Sequence, residues 1–369
     1  GVAFTITDTS NLFFTIGQST NASRTNVSNF GQLPLAYAPP TGYKTLSTKN
    51  LPDATVIPSE NFDVILDDGA TIKDTAQAVY PTQLSWIKAL GVNNHQLIDS
   101  VRGLDNVLQS NLASASTTYV TPVGNSVAWN WKAGGVAVTN NEGTIESQVS
   151  ANPEAGFSIV SYVGNGTAGA TVGHGLASVP KMIIVKYRDA VNPWVVYHEG
   201  VATDPATDYL VLNSTDAKVD NVVIWNDTAP TSAVFSLGSS ATSNGATAPG
   251  LIAYCFADVE GYSKMGSYTG NGSANGTFVY TGFRPTYVLV KKTNGGDGWY
   301  ILDTARNTFN AVNNVLFANT TGAVNTVTDR ADLLSNGFKL RTTAGPNEPS
   351  GTYIYMAFAE QPFKNANAR

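Results

Sequence analysis

Charge is scarce in this chain of 369 residues. Asp, Glu, Lys and Arg make up 13% of it, about half the usual share of roughly 25%. The formal net charge of −6, with no basic run, excludes non-specific nucleic-acid binding, which needs clustered Lys and Arg to displace counterions from phosphates. One cysteine, Cys255, excludes an internal disulfide. It lies in the apolar run LIAYCF, where a buried inert thiol is expected. Three histidines, none with a second His or Cys at ligand spacing, give no metal pattern. No metal or other cofactor is therefore expected. No run approaches the ~18 apolar residues of a membrane span, and no signal peptide opens the chain. It starts at Gly1 without a methionine, so we expect a processed product or the later part of a longer polypeptide.

What fills the gap is Gly, Ser, Thr, Asn and Ala, beside 42% hydrophobic and 10% aromatic residues. That is not the composition of disorder. It suits short, tightly turned strands kept in solution by amides and hydroxyls. The dominant feature is internal repetition. GYSKMGSYTGNG from Gly261, TYVLVKK from Thr286, WYILD from Trp299 and YIYMAFAE from Tyr353 echo GFSIVSYVGNG from Gly156, KMIIVKY from Lys181, WVVYH from Trp194 and LIAYCFADVE from Leu251. A fainter copy runs upstream through FDVILDDG, TQLSWIK, HQLIDSVRG and SVAWNWKAGG. Lys88, Lys186 and Lys291 align, as do Asp99, His198 and Asp303, and Trp131, Phe256 and Phe358. From Asn111 to Trp131 is 20 residues, against 43 from Asn213 to Phe256 and 39 from Asn319 to Phe358. The first copy thus lacks about a hairpin of sheet.

Taken in order, VAFTIT and NLFFTIG read as strands around the turn DTSN, followed by a Pro- and Gly-punctuated connector. So few strands bury no core of their own, and must complete something else. QLIDSVRGLDNVLQSN has some helical character, but its equivalents YLVLNST and NVLFANT are strand-like. GTIESQVSANPEAG reads as a polar joiner. SIVSYVGNG and KMGSYTGNG end in Asn-Gly, favoured where both turn residues need positive φ. KMIIVKY and TYVLVKK are apolar runs of strand length. The chain is therefore expected to be all-β, a tandem of antiparallel β-sandwich or jelly-roll-like repeats. The expected boundaries are 1–57, 58–155, 156–261 and 262–369.

Candidate chemistry is sparse. Gly164–Gly169 fits GxGxxG after a strand, yet ATVGHGLASVP cannot supply the helix that a dinucleotide site requires. A glycine-rich turn is expected instead. His198-Glu199 has the elements of an acid/base pair, but Asp303 and Asp99 at equivalent positions favour a polar residue capping a strand end. No GxSxG elbow is present, so no catalytic residue is assigned. Asp67-Asp68-Gly69 with Asp74 offers oxygen ligands for calcium without a matching loop spacing, and a solvated turn is the simpler reading. Aromatics at equivalent strand starts are either core or sugar-stacking surface. Trp194, Tyr197, His198, Trp299, Tyr300 and Asp303 are the candidate glycan contacts. Asn-x-Ser/Thr triplets at Asn165, Asn271 and Asn319 matter only in a secretory pathway.

NFGQLPLAYAPPTGYKTLSTKNLP, GFSIVSYVGNGTAGATVGHGLASVPKMIIVK, and GYSKMGSYTGNG with GFRPTYVLVKKT and YIYMAFAEQPFKNANAR resemble bacteriophage virion proteins, above all tail-fibre proteins of marine podoviruses. The resemblance covers nearly the whole chain. It implies that residues 1–48 close a SPRY-type, concanavalin-like sandwich whose beginning lies upstream. It implies a virion location, a structural role in a tail fibre or appendage contacting the host, and homotrimeric assembly with other virion proteins. A bacterial surface glycan or receptor would be the external partner. No catalytic residue and no membrane insertion follow from it. A capsid decoration protein, a glycan-degrading tail depolymerase and a secreted lectin are the alternatives.

Overall fold

The computed structural model describes residues 50–51, 53–248, 250–326 and 329–364. The strands and SPRY-type closure expected before residue 50 lie outside the described residues. The chain divides into two units, Gly1–Asn50 and Leu51–Arg369, and all three repeats lie in the second.

That unit is all-β, as expected, and built from three sheets with one strand order. In the first repeat the order is Phe62–Asp68, Asn125–Lys132, Gln83–Ala89, Gln96–Asp99. The second repeats it with Phe157–Tyr162, Leu251–Phe256, Met182–Tyr187 and Val195–His198, and the third with Ser263–Thr269, Thr352–Pro362, Phe283–Lys292 and Trp299–Asp303. Every pairing is antiparallel, and the register matches across copies. Phe62 faces Trp131, Phe157 faces Phe256, and Ser263 faces Phe358.

Each sheet is covered on both sides. Met182, Ile184, Ile252, Tyr254 and Phe256 face a core shared by all three repeats. Their alternates Ile183, Val185, Leu251, Ala253 and Cys255 face a private core under a second layer. Strands buried on two faces have no polar side to show, so KMIIVKY and LIAYCF read as unbroken apolar runs. The second layer is Ala170–Gly173 with Val234–Leu237 in the second repeat, and Phe278–Tyr280, Gly337–Leu340 and Ala331–Leu334 in the third. In the first, where sequence spacing is short, the eight-residue helix Ile72–Val79 takes that place. It lays Ile72 and Ala76, one turn apart, onto Ile87, Ile98 and Ala128. Residues 96–111, which carry some helical character in sequence, form the short strands Gln96–Asp99 and Asn106–Val107 instead. The joiner is also strand: its Ser147–Asn152, with Val138–Asn140 just before it, extends the second sheet, so pairing places both with the second repeat although they precede residue 156.

At the centre the three aligned aromatics meet. Trp131, Phe256 and Phe358 form a triangle with ring centroids 5.7–6.1 Å apart, joined by Phe62, Phe157, Tyr262 and Tyr287. One residue from each repeat at one point makes the arrangement pseudo-threefold. The repeats share this central core, and each also encloses a smaller one beneath its second layer.

Candidate functional site

The aligned polar residues lie at the joints between repeats. Lys88, Lys186 and Lys291 are buried. The Lys88 ammonium donates to the carbonyls of Ala89 (2.6 Å) and Gly91 (2.7 Å). Lys186 donates to Tyr187 (2.6 Å) and across to Ala113 of the first repeat (3.1 Å), and Lys291 to Asp297 (2.8 Å) and across to Thr215 of the second (2.9 Å). Burial pulls all three ammonium groups down to about 8, since the charged form gives up hydration for neutral dipoles.

Asp99 and Asp303 are buried acceptors. Each binds an arginine three residues on, Arg102 Nε at 2.5 Å and Arg306 Nε at 2.7 Å. Each also accepts from the neighbouring repeat: Tyr254 donates its hydroxyl to Asp99 Oδ2 at 2.8 Å, and Trp129 Nε1 donates to Asp303 Oδ2 at 3.0 Å. At the remaining joint, the residue in register with Tyr254 and Trp129 is Met356, which has no proton to donate. Here the acidic position is His198 instead. Its Nδ1 accepts from Gly200 N at 3.0 Å, which leaves Nε2 to donate to the Tyr355 carbonyl at 3.1 Å. Burial holds its imidazole down to about 4, so it is neutral in the fold. The second repeat thus donates to the first, the first to the third, and the second to the third, so that all three joints are bridged and the ring is closed.

A second ring runs beside it. Trp194 Nε1 donates to the Gln109 carbonyl of the first repeat, and Trp299 Nε1 to the Val211 carbonyl of the second, both at 3.0 Å. His95 stands at the equivalent place, its Nε2 3.0 Å from the Phe317 carbonyl of the third and its Nδ1 accepting from Trp86 Nε1 at 2.8 Å. The backbone N–H groups of His95, Trp194 and Trp299 all donate to an asparagine, Asn111, Asn213 and Asn319 respectively.

Trp194, Tyr197, His198, Trp299, Tyr300 and Asp303 are therefore gathered by the fold, but inward; all six are buried. As a glycan-contacting surface they are corrected. Indole carries one N–H on a large apolar body, which suits a core whose polar demand at that point is one neighbouring carbonyl, and the buried imidazole of His198 uses both ring nitrogens on backbone groups. Tyr197 packs edge-on against Trp225, and Tyr300 donates to Asp297 Oδ1 at 2.8 Å. Glu199, beside His198, pairs outward with Lys181 at 2.5 Å, so the two form no acid/base dyad.

The remaining motifs are also structural. Asp67 and Asp68 accept from Thr75 Oγ1 and Ala70 N, fixing the turn into the helix. Among the described residues, no three His, Cys, Asp or Glu converge as a metal site, and no helix is long and apolar enough to cross a membrane. Cys255 is buried, its thiol pushed up to about 12 by desolvation. The GxGxxG stretch is a turn. Only its glycines take positive φ, Gly166 at 69° and Gly169 at 83°, and Asn165 does not, so Asn-Gly here is not the expected double positive-φ pair. Sequence reading missed what clips this turn. Buried Asn244 accepts from Asn165 N and donates to Thr167 O, and Asn347 does the same work on Asn271 and Ser273. The only sequence signal is an asparagine a few residues before the closing strand in both copies.

No curated protein and no solved structure is significantly similar to the chain. Residues 121–362, from the last strand of the first sheet through the third sheet, match the family described as "Domain of unknown function (DUF7483)", and the chain belongs to that family.

Proposed function

We propose that this chain is a structural component of a phage particle, a tail-fibre or appendage protein that contacts the bacterial surface and assembles as a homotrimer with other virion proteins. The observation that carries this reading is the closed ring. The chain commits Lys186, Lys291, Asp99, Asp303, His95, His198, Trp129, Trp194 and Trp299 to bonds between its three repeats, which is the use of polar residues suited to a stiff building block. The resemblance of its repeat wording to podovirus tail-fibre proteins points the same way. Attachment would come from weak contacts multiplied by symmetry, since linked sites gain effective concentration.

The test is gold labelling of intact virions with antibody to this chain, together with its native mass against the 38.9 kDa monomer. Label at the tail and a stable trimer are expected. Label spread over the head, with a monomer in solution, would replace this reading with capsid decoration. That second reading is favoured by one observation: a single chain already carries a pseudo-threefold axis, which matches a local threefold of a shell without trimerising.

A further inference from the structure

The second and third repeats differ most at one strand of the outer layer. Val172 pairs with Phe235 and Val279 with Phe338, so Thr171 and Gly173 correspond to Phe278 and Tyr280. In the second repeat this strand is covered by the arm that joins it to the first. Ile145 N donates to Thr171 O at 3.0 Å, Thr171 N to Thr144 Oγ1 at 2.8 Å, and Ser147 Oγ to Gly173 O at 3.1 Å. A Cβ at 173 would lie 1.9 Å from Asn140 Oδ1, so a larger residue there would have to push the Asn140 side chain aside. The link from the second repeat to the third is only residues 257–262, between the strands Leu251–Phe256 and Ser263–Thr269. That is too short to form such an arm.

With no arm over it, Tyr280 stands 60% exposed and Phe278 45% exposed. Tyr280 walls a cleft of about 470 Å³ together with Phe363, Glu260 and the ion pairs Lys264–Asp258 (2.8 Å) and Lys364–Asp53 (2.7 Å). We propose that this cleft is a saccharide-binding site, with Tyr280 as the platform for a pyranose ring of a bacterial surface polysaccharide. This rests on the reading of the chain as host-contacting. Four features point to the ligand class. The electron-rich face of a tyrosine attracts the weakly positive C–H face of a sugar ring. Ammonium and carboxylate side by side offer a donor and an acceptor together, which matches hydroxyls that both donate and accept. The near balance of charge selects no ion, and the volume falls in the range of small-ligand sites, about 300–1,000 Å³.

The experiment uses the full chain, host cells, and oligosaccharides released from host surface polysaccharide as the probe, followed by saturation-transfer NMR and by competition for cell adhesion. Saturable binding is expected, with transfer concentrated on ring C–H protons. Tyr280→Ala should weaken it at least about tenfold, as for an aromatic hot spot. Tyr280→Phe should retain it, and Phe309→Ala, at a 77% exposed aromatic outside the cleft, should leave it unchanged. If Tyr280→Ala binds like the parent, or if the chain adheres to cells and the oligosaccharides do not compete, the saccharide site is overturned while host contact stands. If the chain does not adhere at all, host contact falls and this site falls with it.

Discussion

Two joints of the ring place a carboxylate where the third places a histidine. Asp99 and Asp303 each hold an arginine and accept one bond from the neighbouring repeat. His198 has Val201 where they have arginine, and donates across to a backbone carbonyl. A buried carboxylate needs a compensating cation and donors on every side. A joint facing Met356 supplies neither, so a neutral donor is the stable choice. Equivalent positions in a repeat are thus solved jointly with their neighbours, and identity at one position is set by chemistry in another copy.

The comparison can be broken at its centre. Trp131→Ala removes the largest ring of the axial triangle, touching all three repeats, and should cost about 3–5 kcal/mol, read as one cooperative loss in urea unfolding. Separate loss of the first repeat alone would show that the repeats are energetically independent. Next in size, His198→Asp buries a charge with no arginine and no facing donor, and should cost about 3 kcal/mol. Adding Met356→Trp and Val201→Arg should recover part of it, measured as a shift in the unfolding midpoint. No recovery would mean that the joints are not interchangeable.

Acid should act on the two joint histidines. Burial holds His95 down to about 3 and His198 to about 4, below the ordinary value near 6.5. Between about pH 6.5 and 4 the unfolded chain takes up protons that the fold refuses, so stability falls as pH falls. Tm measured from pH 7 to 4.5 should drop, and His198→Gln should flatten that slope. The smallest effect is expected at the cleft of about 300 Å³ between the first and third repeats, lined by Asp63 and Glu360, whose carboxyls burial holds above their usual range. Asp63→Asn should raise Tm slightly at pH 7 and leave it unchanged at pH 3.5, where the raised group is largely protonated.

Much of the scaffold was legible in the chain. The aligned lysines, the Asp/His/Asp positions and the Trp/Phe/Phe positions are the joints and the axis, and the unbroken apolar runs are the doubly buried strands. The helix Ile72–Val79 was not legible, because eight residues with two buried positions give too short a periodic signal to stand against noise. The inward direction of Trp194 and Trp299 was not legible either. A strand-start aromatic has the same local sequence whether a neighbouring repeat or solvent lies beyond it.

The sequence by itself determined the all-β class, the number of copies and which positions of each copy correspond, because these follow from repeated wording, strand-length apolar runs and turn chemistry within one copy. Only the tertiary structure decided that the copies close on a common core, that Trp194, His198, Trp299 and Asp303 among the candidate sugar contacts are staples between repeats while Tyr197 and Tyr300 fill a repeat's own core, and that Tyr280 is left exposed where Gly173 is covered. Those outcomes depend on which surfaces meet across a joint and on the length of the linker that reaches them, and neither is encoded in the spacing within a repeat.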